Sequence, residues 1–284
     1  MKQVIFALIG GLLSQCLLAQ ANPETLRKNP FILGFIEEIQ SKELSEKRVL
    51  NIYLPDGYNK KDTTKYPVIY LLDGSADEDF IHVAGLVQFL NFPWVNILPK
   101  TIVVGIANTD RKKDFTFTPT DKALQKEYPT SGHSGKFISF IEKELQPYIE
   151  SNYPANRSKT IIGQSLGGLL ATEILLKKPQ LFSNYIIISP SLWWNSESLL
   201  SLQPPVKNYS TKQHTIVYVA LGKEGAVMEN DAKKLVDLLM KDSTKHMQVS
   251  FEYFSNETHA TILHRAVYNA FEKFNKLSKK TKNP

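Results

Sequence analysis

The chain has 284 residues, 42% hydrophobic and 11% aromatic, enough to bury a large core and too apolar for a disordered segment. Lys and Arg number 34 against 28 Asp and Glu, a formal charge of +6, well short of the basic density of a dedicated nucleic-acid binder. One cysteine excludes an intramolecular disulfide, and a mean hydropathy of −0.23 excludes a polytopic membrane protein.

Met1 and Lys2 precede an apolar run from Val4 to Leu18, which ends in the small-x-small site Ala19-Gln20-Ala21. That pattern predicts a signal peptide over residues 1–21 and an exported protein, periplasmic or secreted. The run is short for a spanning helix and lacks a basic stop-transfer flank, so no stable membrane insertion is expected after cleavage. The sole cysteine, Cys16, lies inside this leader. Gln15 stands where a lipidation box wants a small residue, so Cys16 reads as one more apolar position of the leader, with lipidation left open.

Residues 22–275 read as one domain. Phe31–Ile39 and Arg48–Leu54 are strand-like, and the polar link between them suits an antiparallel hairpin. The continuous apolar runs Tyr66–Leu72 and Thr101–Ile106 suit strands covered on both faces. Phe80–Phe92 has helical periodicity. Residues 108–130 are polar and irregular, too long for a simple connector and a candidate part of a site.

Gly135–Asn152 is an amphipathic helix with Phe137, Phe140, Ile141, Leu145 and Tyr148 on one stripe. Strands at Thr160–Ile162, Tyr185–Ile188, Thr215–Leu221 and Gln248–Phe254 alternate with helices at Leu166–Lys178, Asp231–Met240 and Thr261–Phe274. The alternation predicts an α/β fold: a mostly parallel sheet clothed by helices, with the hairpin adding antiparallel strands at its edge. Residues 276–284 read as a basic, solvated tail.

Gly163-Gln164-Ser165-Leu166-Gly167 matches G-x-S-x-G between a strand and a helix, the context in which that motif lifts a serine hydroxyl out of a sheet. Ser165 is the candidate nucleophile, and a serine needs a base to take its proton. Of the six histidines, His259 follows the last strand and precedes the last helix, the position for a base in Ser…acid…His chain order; His264 and His133 are the alternatives. The orienting acid belongs between them, past a strand end. Glu224 is the first candidate, Glu229 and Asp231 are read as helix-capping alternatives, and a Ser–His dyad is also open.

A tetrahedral intermediate needs oxyanion donors. The backbone N–H of Leu166 is one, and the N–H of Ser75 or Gly74, after the Tyr66–Leu72 strand, is the other. Asp73 reads as a maker of structural hydrogen bonds. Arg111 either neutralises an anionic substrate or pairs with Asp114, and Trp193 or Trp194 either walls an aromatic pocket or packs in the core. The scattered histidines show no ligand spacing, so neither metal nor cofactor is expected.

The segments YPVIYLLDG (66–74), NTDRKKDFTFTP (108–119), GKFISFIEKELQPYI (135–149), GQSLGG (163–168) and SPSLWW (189–194) stand in an order that resembles the Putative esterase family of α/β hydrolases. That family includes esterase D-like, enterobactin and salmochelin trilactone, and feruloyl esterases, and mycolyltransferases. The resemblance spans Ile39 to Phe274. SPSLWW and Asn108, Arg111 and Asp114 most resemble the siderophore-esterase branch.

The resemblance implies an α/β-hydrolase fold, Ser165 as nucleophile and His259 as base. The resemblance leaves the acid open, because some siderophore esterases lack one. The expected partner is a small-molecule ester, anionic or aromatic, such as a catecholate trilactone. An acyltransferase, an acyl-sugar or feruloyl esterase, a non-catalytic binding module and, more remotely, a peptidase are the competing readings. Oligomeric state is not legible in the sequence.

Overall fold

In the computed structural model, residues 28–61, 63–202, 214–241 and 247–282 are described, with side chains as far as 277. The chain divides into Met1–Ile32 and Leu33–Pro284, and the architecture below is that of the second unit. The leader expected over 1–21 lies outside the described residues.

Eight strands form one sheet: β1 (Phe35–Ser41), β2 (Glu46–Tyr53), β3 (Tyr66–Leu71), β4 (Ile102–Ile106), β5 (Ala155–Gln164), β6 (Asn184–Ile188), β7 (Thr215–Gly222) and β8 (Met247–Phe254). Their order is β1-β2-β4-β3-β5-β6-β7-β8. β1 and β2 form the antiparallel hairpin, β2 meets β4 antiparallel, and every pair from β4 onward is parallel.

The central strands carry continuous apolar runs because both faces are covered. Val68, Tyr70 and Leu72 enter one core with Phe137, Phe140, Leu145, Leu169, Ile174 and Leu235. Ile69 and Leu71 enter the other, with Val83, Val87, Ala266 and Phe271. Helices α1 (Phe80–Leu90) and α9 (Ile262–Lys282) supply the second face. On the first lie α4 (Ser134–Phe140), α5 (Gln146–Asn152), α6 (Leu166–Lys177) and α8 (Ala226–Lys241). Each sheet face thus gains its own hydrophobic layer, the arrangement that strand-helix alternation demands.

Several boundaries differ from the expectations for local reasons. The helix expected over Gly135–Asn152 carries a π-helical turn, Ile141–Leu145, between α4 and α5. The short strand expected at Thr160–Ile162 is the ten-residue β5, whose polar first half pairs with the start of β3 and so does not look apolar. Residues 108–130 contain two short helices, α2 (Arg111–Phe115) and α3 (Lys122–Glu127), begun by side-chain caps from Asp110 and Asp121. Helix α8 begins at Ala226, which places Asp231 inside the helix and not at its cap. Helix α9 continues to Lys282, so residues 276–282, expected as a tail, are helical. Among the described residues, no helix is long and apolar enough to cross a membrane.

Candidate active site

In an open parallel sheet, functional groups gather outside the carboxyl ends of the strands. Here the segments leaving β3, β5 and β6 each contain a non-glycine residue at positive φ: Asp73 at 54°, Ser165 at 59° and Ser189 at 44°. Such residues cost about 1–3 kcal/mol each and cluster where geometry serves a site.

Ser165 stands between β5 and α6 with φ 59° and ψ −120°, the sharp elbow that G-x-S-x-G permits. A β-carbon at Gly163 would lie 2.3 Å from the Gly167 carbonyl oxygen, so the turn closes only around glycine. The Ser165 N–H donates to the Ile188 carbonyl at 3.1 Å, and its carbonyl accepts from the Ser191 N–H at 3.0 Å. Its hydroxyl lies 3.3 Å from the Ser191 hydroxyl. The elbow is therefore tied to the β6 exit through both main chain and side chain.

Glu224 follows β7 and His259 follows β8. The His259 Nδ1 lies 2.6 Å from Glu224 Oε2, and the glutamate side chain is buried. Glu224 Oε1 accepts from the Ser189 hydroxyl and from the Gly222 N–H. Burial alone would raise this carboxyl, but hydrogen bonds from His259, Ser189 and Gly222 outweigh it and hold the pKa below the ordinary carboxylate value. The Gln164 side-chain amide donates to the His259 carbonyl, joining the histidine loop to the residue before Ser165.

The alternatives lie elsewhere. Glu229 accepts from the Tyr253 hydroxyl and Asp231 pairs with Lys234. The His264 ring packs on His82 with centroids 4.4 Å apart, and His133 precedes α4. His246 lies outside the described residues.

Of the expected oxyanion donors, Leu166 opens α6 directly after Ser165. Gly74 is corrected: its N–H donates to the Ile106 carbonyl at 3.0 Å and is not available. Gly74 instead lets the chain cross β4, since a β-carbon there would lie 2.4 Å from Gly105 Cα. The Ser75 N–H is held only by a long 3.4 Å contact to Glu78 Oε2 and is the donor that remains in this loop.

Arg111 does not pair with Asp114. Its Nε and one terminal nitrogen donate to the two Asp73 oxygens at 2.6 and 2.9 Å, and that nitrogen also meets the Gln164 carbonyl at 3.1 Å. The partner of Asp114 is the buried Arg48. Trp194 is fully buried, with its Nε1–H donating to the Phe117 carbonyl at 3.0 Å, which corrects its reading as a pocket wall in favour of core packing. Trp193 is half-buried and is the one tryptophan of the pair still open to a substrate role.

Sequence reasoning missed Ser189, Ser191 and Gln164 as parts of the site. The signal for the two serines was their position just past the strand beside β5. Among the described residues, no group of three or more His, Cys, Asp or Glu side chains is placed to hold a metal ion.

A mostly parallel eight-stranded sheet, helices on both faces and a serine elbow at a strand end define an α/β-hydrolase-like enzyme. The family model described as Putative esterase matches residues 41–271, and the chain belongs to that family. It is accordingly an esterase, a hydrolase of carboxylic esters.

The chain is 28% identical over 254 residues to the ferri-bacillibactin esterase BesA of Bacillus subtilis, covering 83% of this chain and 88% of that protein. It is 28% identical over 172 residues to the siderophore triacetylfusarinine C esterase of Aspergillus fumigatus, covering 55% of each. Among solved structures, an IroE-like serine hydrolase from Shewanella oneidensis superposes with a TM-score of 0.77 at 33% identity. That match covers 86% of this chain and 80% of the other.

Proposed function

We propose that this protein is an exported serine esterase that opens the ester bonds of a siderophore through Ser165, His259 and Glu224. The observation that carries the reading is the 2.6 Å hydrogen bond between Glu224 and His259 Nδ1, at the same carboxyl end of the sheet as the Ser165 elbow. With Nδ1 engaged by the carboxylate, Nε2 is the nitrogen left to take the serine proton.

Ser165 Oγ attacks the ester carbonyl while His259 accepts its proton. The oxyanion is held by the N–H groups of Leu166 and Ser75. His259 returns the proton to the departing alkoxide, leaving an acyl-serine and a free hydroxyl arm. Water, deprotonated by the same imidazole, then releases the acid and restores the serine. Glu224 stabilises the imidazolium formed in each half.

The siderophore assignment draws on the relatives named for that activity. Charge alone argues little for an anionic substrate, because the Arg111 guanidinium is already met by Asp73. Export rests on the leader pattern of residues 1–21, and protein recovered from the periplasm or medium should begin at Asn22. A retained Met1 there, or purely cytoplasmic protein, counts against export.

The test is a panel of catecholate trilactones with and without iron, sugar esters and simple acyl esters, assayed on wild type and Ser165→Ala. The wild type should open the trilactones fastest, and the variant should lose roughly 10⁶-fold in kcat. Simple esters turned over with the trilactones left intact would overturn the substrate assignment while leaving the serine chemistry.

A further inference from the structure

An oxyanion hole built from two loops works only if their spacing is fixed. Here the two N–H groups belong to Ser75, beyond β3, and Leu166, beyond β5. No main-chain ladder extends that far, because β3 and β5 are last in register at Leu71 and Ile162.

Arg111 fills that gap. Its guanidinium grips both oxygens of Asp73, two residues before Ser75, at 2.6 and 2.9 Å. It also donates to the carbonyl of Gln164, two residues before Leu166, at 3.1 Å. Asp73 itself lies against the elbow, since a β-carbon on Gly167 would come within 3.3 Å of Asp73 Oδ2. Asn108 adds a second donor to Asp73 at 2.8 Å, and the Phe115 ring backs the guanidinium at 5.6 Å.

Resting on the serine-esterase reading, we infer that Arg111 is a positioning residue: with Asp73 it clasps the Ser75 loop to the Ser165 elbow and sets the width of the oxyanion hole. The planar fork suits this role, since a lysine ammonium cannot hold two carboxylate oxygens and a carbonyl in one plane. A displacement of about 1 Å at a reacting centre costs on the order of 100-fold in rate. Because its charge is met by Asp73, Arg111 acts on bound esters of any charge alike.

The experiment compares wild type, Arg111→Gln, Arg111→Lys, Asp73→Asn and the Arg111→Gln/Asp73→Asn pair. Each is assayed with a neutral and an anionic aryl ester and by the rate of fluorophosphonate labelling. Arg111→Gln and Asp73→Asn should each lower kcat and the labelling rate by roughly 30- to 100-fold. KM should stay within about two-fold for both esters. The double variant should be no slower than either single one, and Arg111→Lys should recover part of the rate.

A loss lying in KM and confined to the anionic ester would overturn the inference in favour of direct substrate contact. Unchanged rates in Arg111→Lys and Asp73→Asn, the variants that best preserve charge and shape, would overturn it as well. Additive losses in the double variant also count against a shared clasp. A wild type that fails to label would instead sink the parent reading.

Discussion

At the scale of single residues, the site is a set of groups each held by a neighbour. Ser165 is fixed by the β6 exit, and Glu224 is fixed by Ser189 and the Gly222 N–H. The carboxyl of Glu224 lies below its ordinary range because these hydrogen bonds and the one from His259 outweigh burial. A carboxylate depressed in the folded state stabilises it above the unfolded pKa, and loses that contribution as pH falls through the folded value. The stability advantage of wild type over Glu224→Gln should therefore be full above about pH 4.5 and shrink below it. Thermal unfolding across that range checks this, and an advantage independent of pH would contradict it.

Ser165 and His259 stood out as candidates because G-x-S-x-G and the His259 loop have a fixed place in a strand–helix alternation. The partner of Arg111 was not legible. Asp114 lies three residues away in sequence and invited the pairing, whereas Asp73 reaches Arg111 only because β3 and β4 are adjacent. Gly74 misled for a related reason. Its freedom to turn was visible, but the sequence did not reveal that its N–H is bound by Ile106.

Among elements, the irregular stretch between β4 and α4 carries Arg111 to the site and is pinned at both ends. Asp114 on α2 meets the fully buried Arg48 of β2, which also donates to Thr109 at 2.9 Å. At the other end Asn195, at φ 51°, accepts from the Thr120 N–H at 2.7 Å, and Trp194 holds the Phe117 carbonyl. Burial keeps the Asp114 carboxyl above its ordinary value despite the opposing hydrogen bond and charge of Arg48, its partner in a pair with both side chains buried. Arg48→Ala should cost about 3–5 kcal/mol, because it leaves a buried carboxylate without its partner. Replacing both by Met and Leu should recover most of that loss. Urea unfolding measures both, and an Arg48→Ala variant within about 0.5 kcal/mol of wild type would contradict this anchoring. The polar composition that made the segment look irregular is what these pairings use, which is why periodicity failed there.

For the whole molecule, the sheet places every group of the proposed mechanism at the carboxyl ends of its parallel strands. Ser165 follows β5, Glu224 follows β7, His259 follows β8 and Ser75 follows β3, with Arg111 following β4. The apolar runs and their alternation with helices made this architecture readable from sequence, because strands buried on both faces leave a continuous signal. The polar first half of β5 and the π-helical turn before α5 were hidden, since neither changes the apolar pattern in a distinctive way. On the proposed mechanism, His259 and Glu224 activate Ser165 to attack esters. Intact mass of the folded protein after fluorophosphonate treatment, with wild type beside Ser165→Ala, tests this most directly. One adduct is expected, on Ser165 and absent from the variant; an unlabelled wild type, or equal labelling of both, would contradict the proposed mechanism.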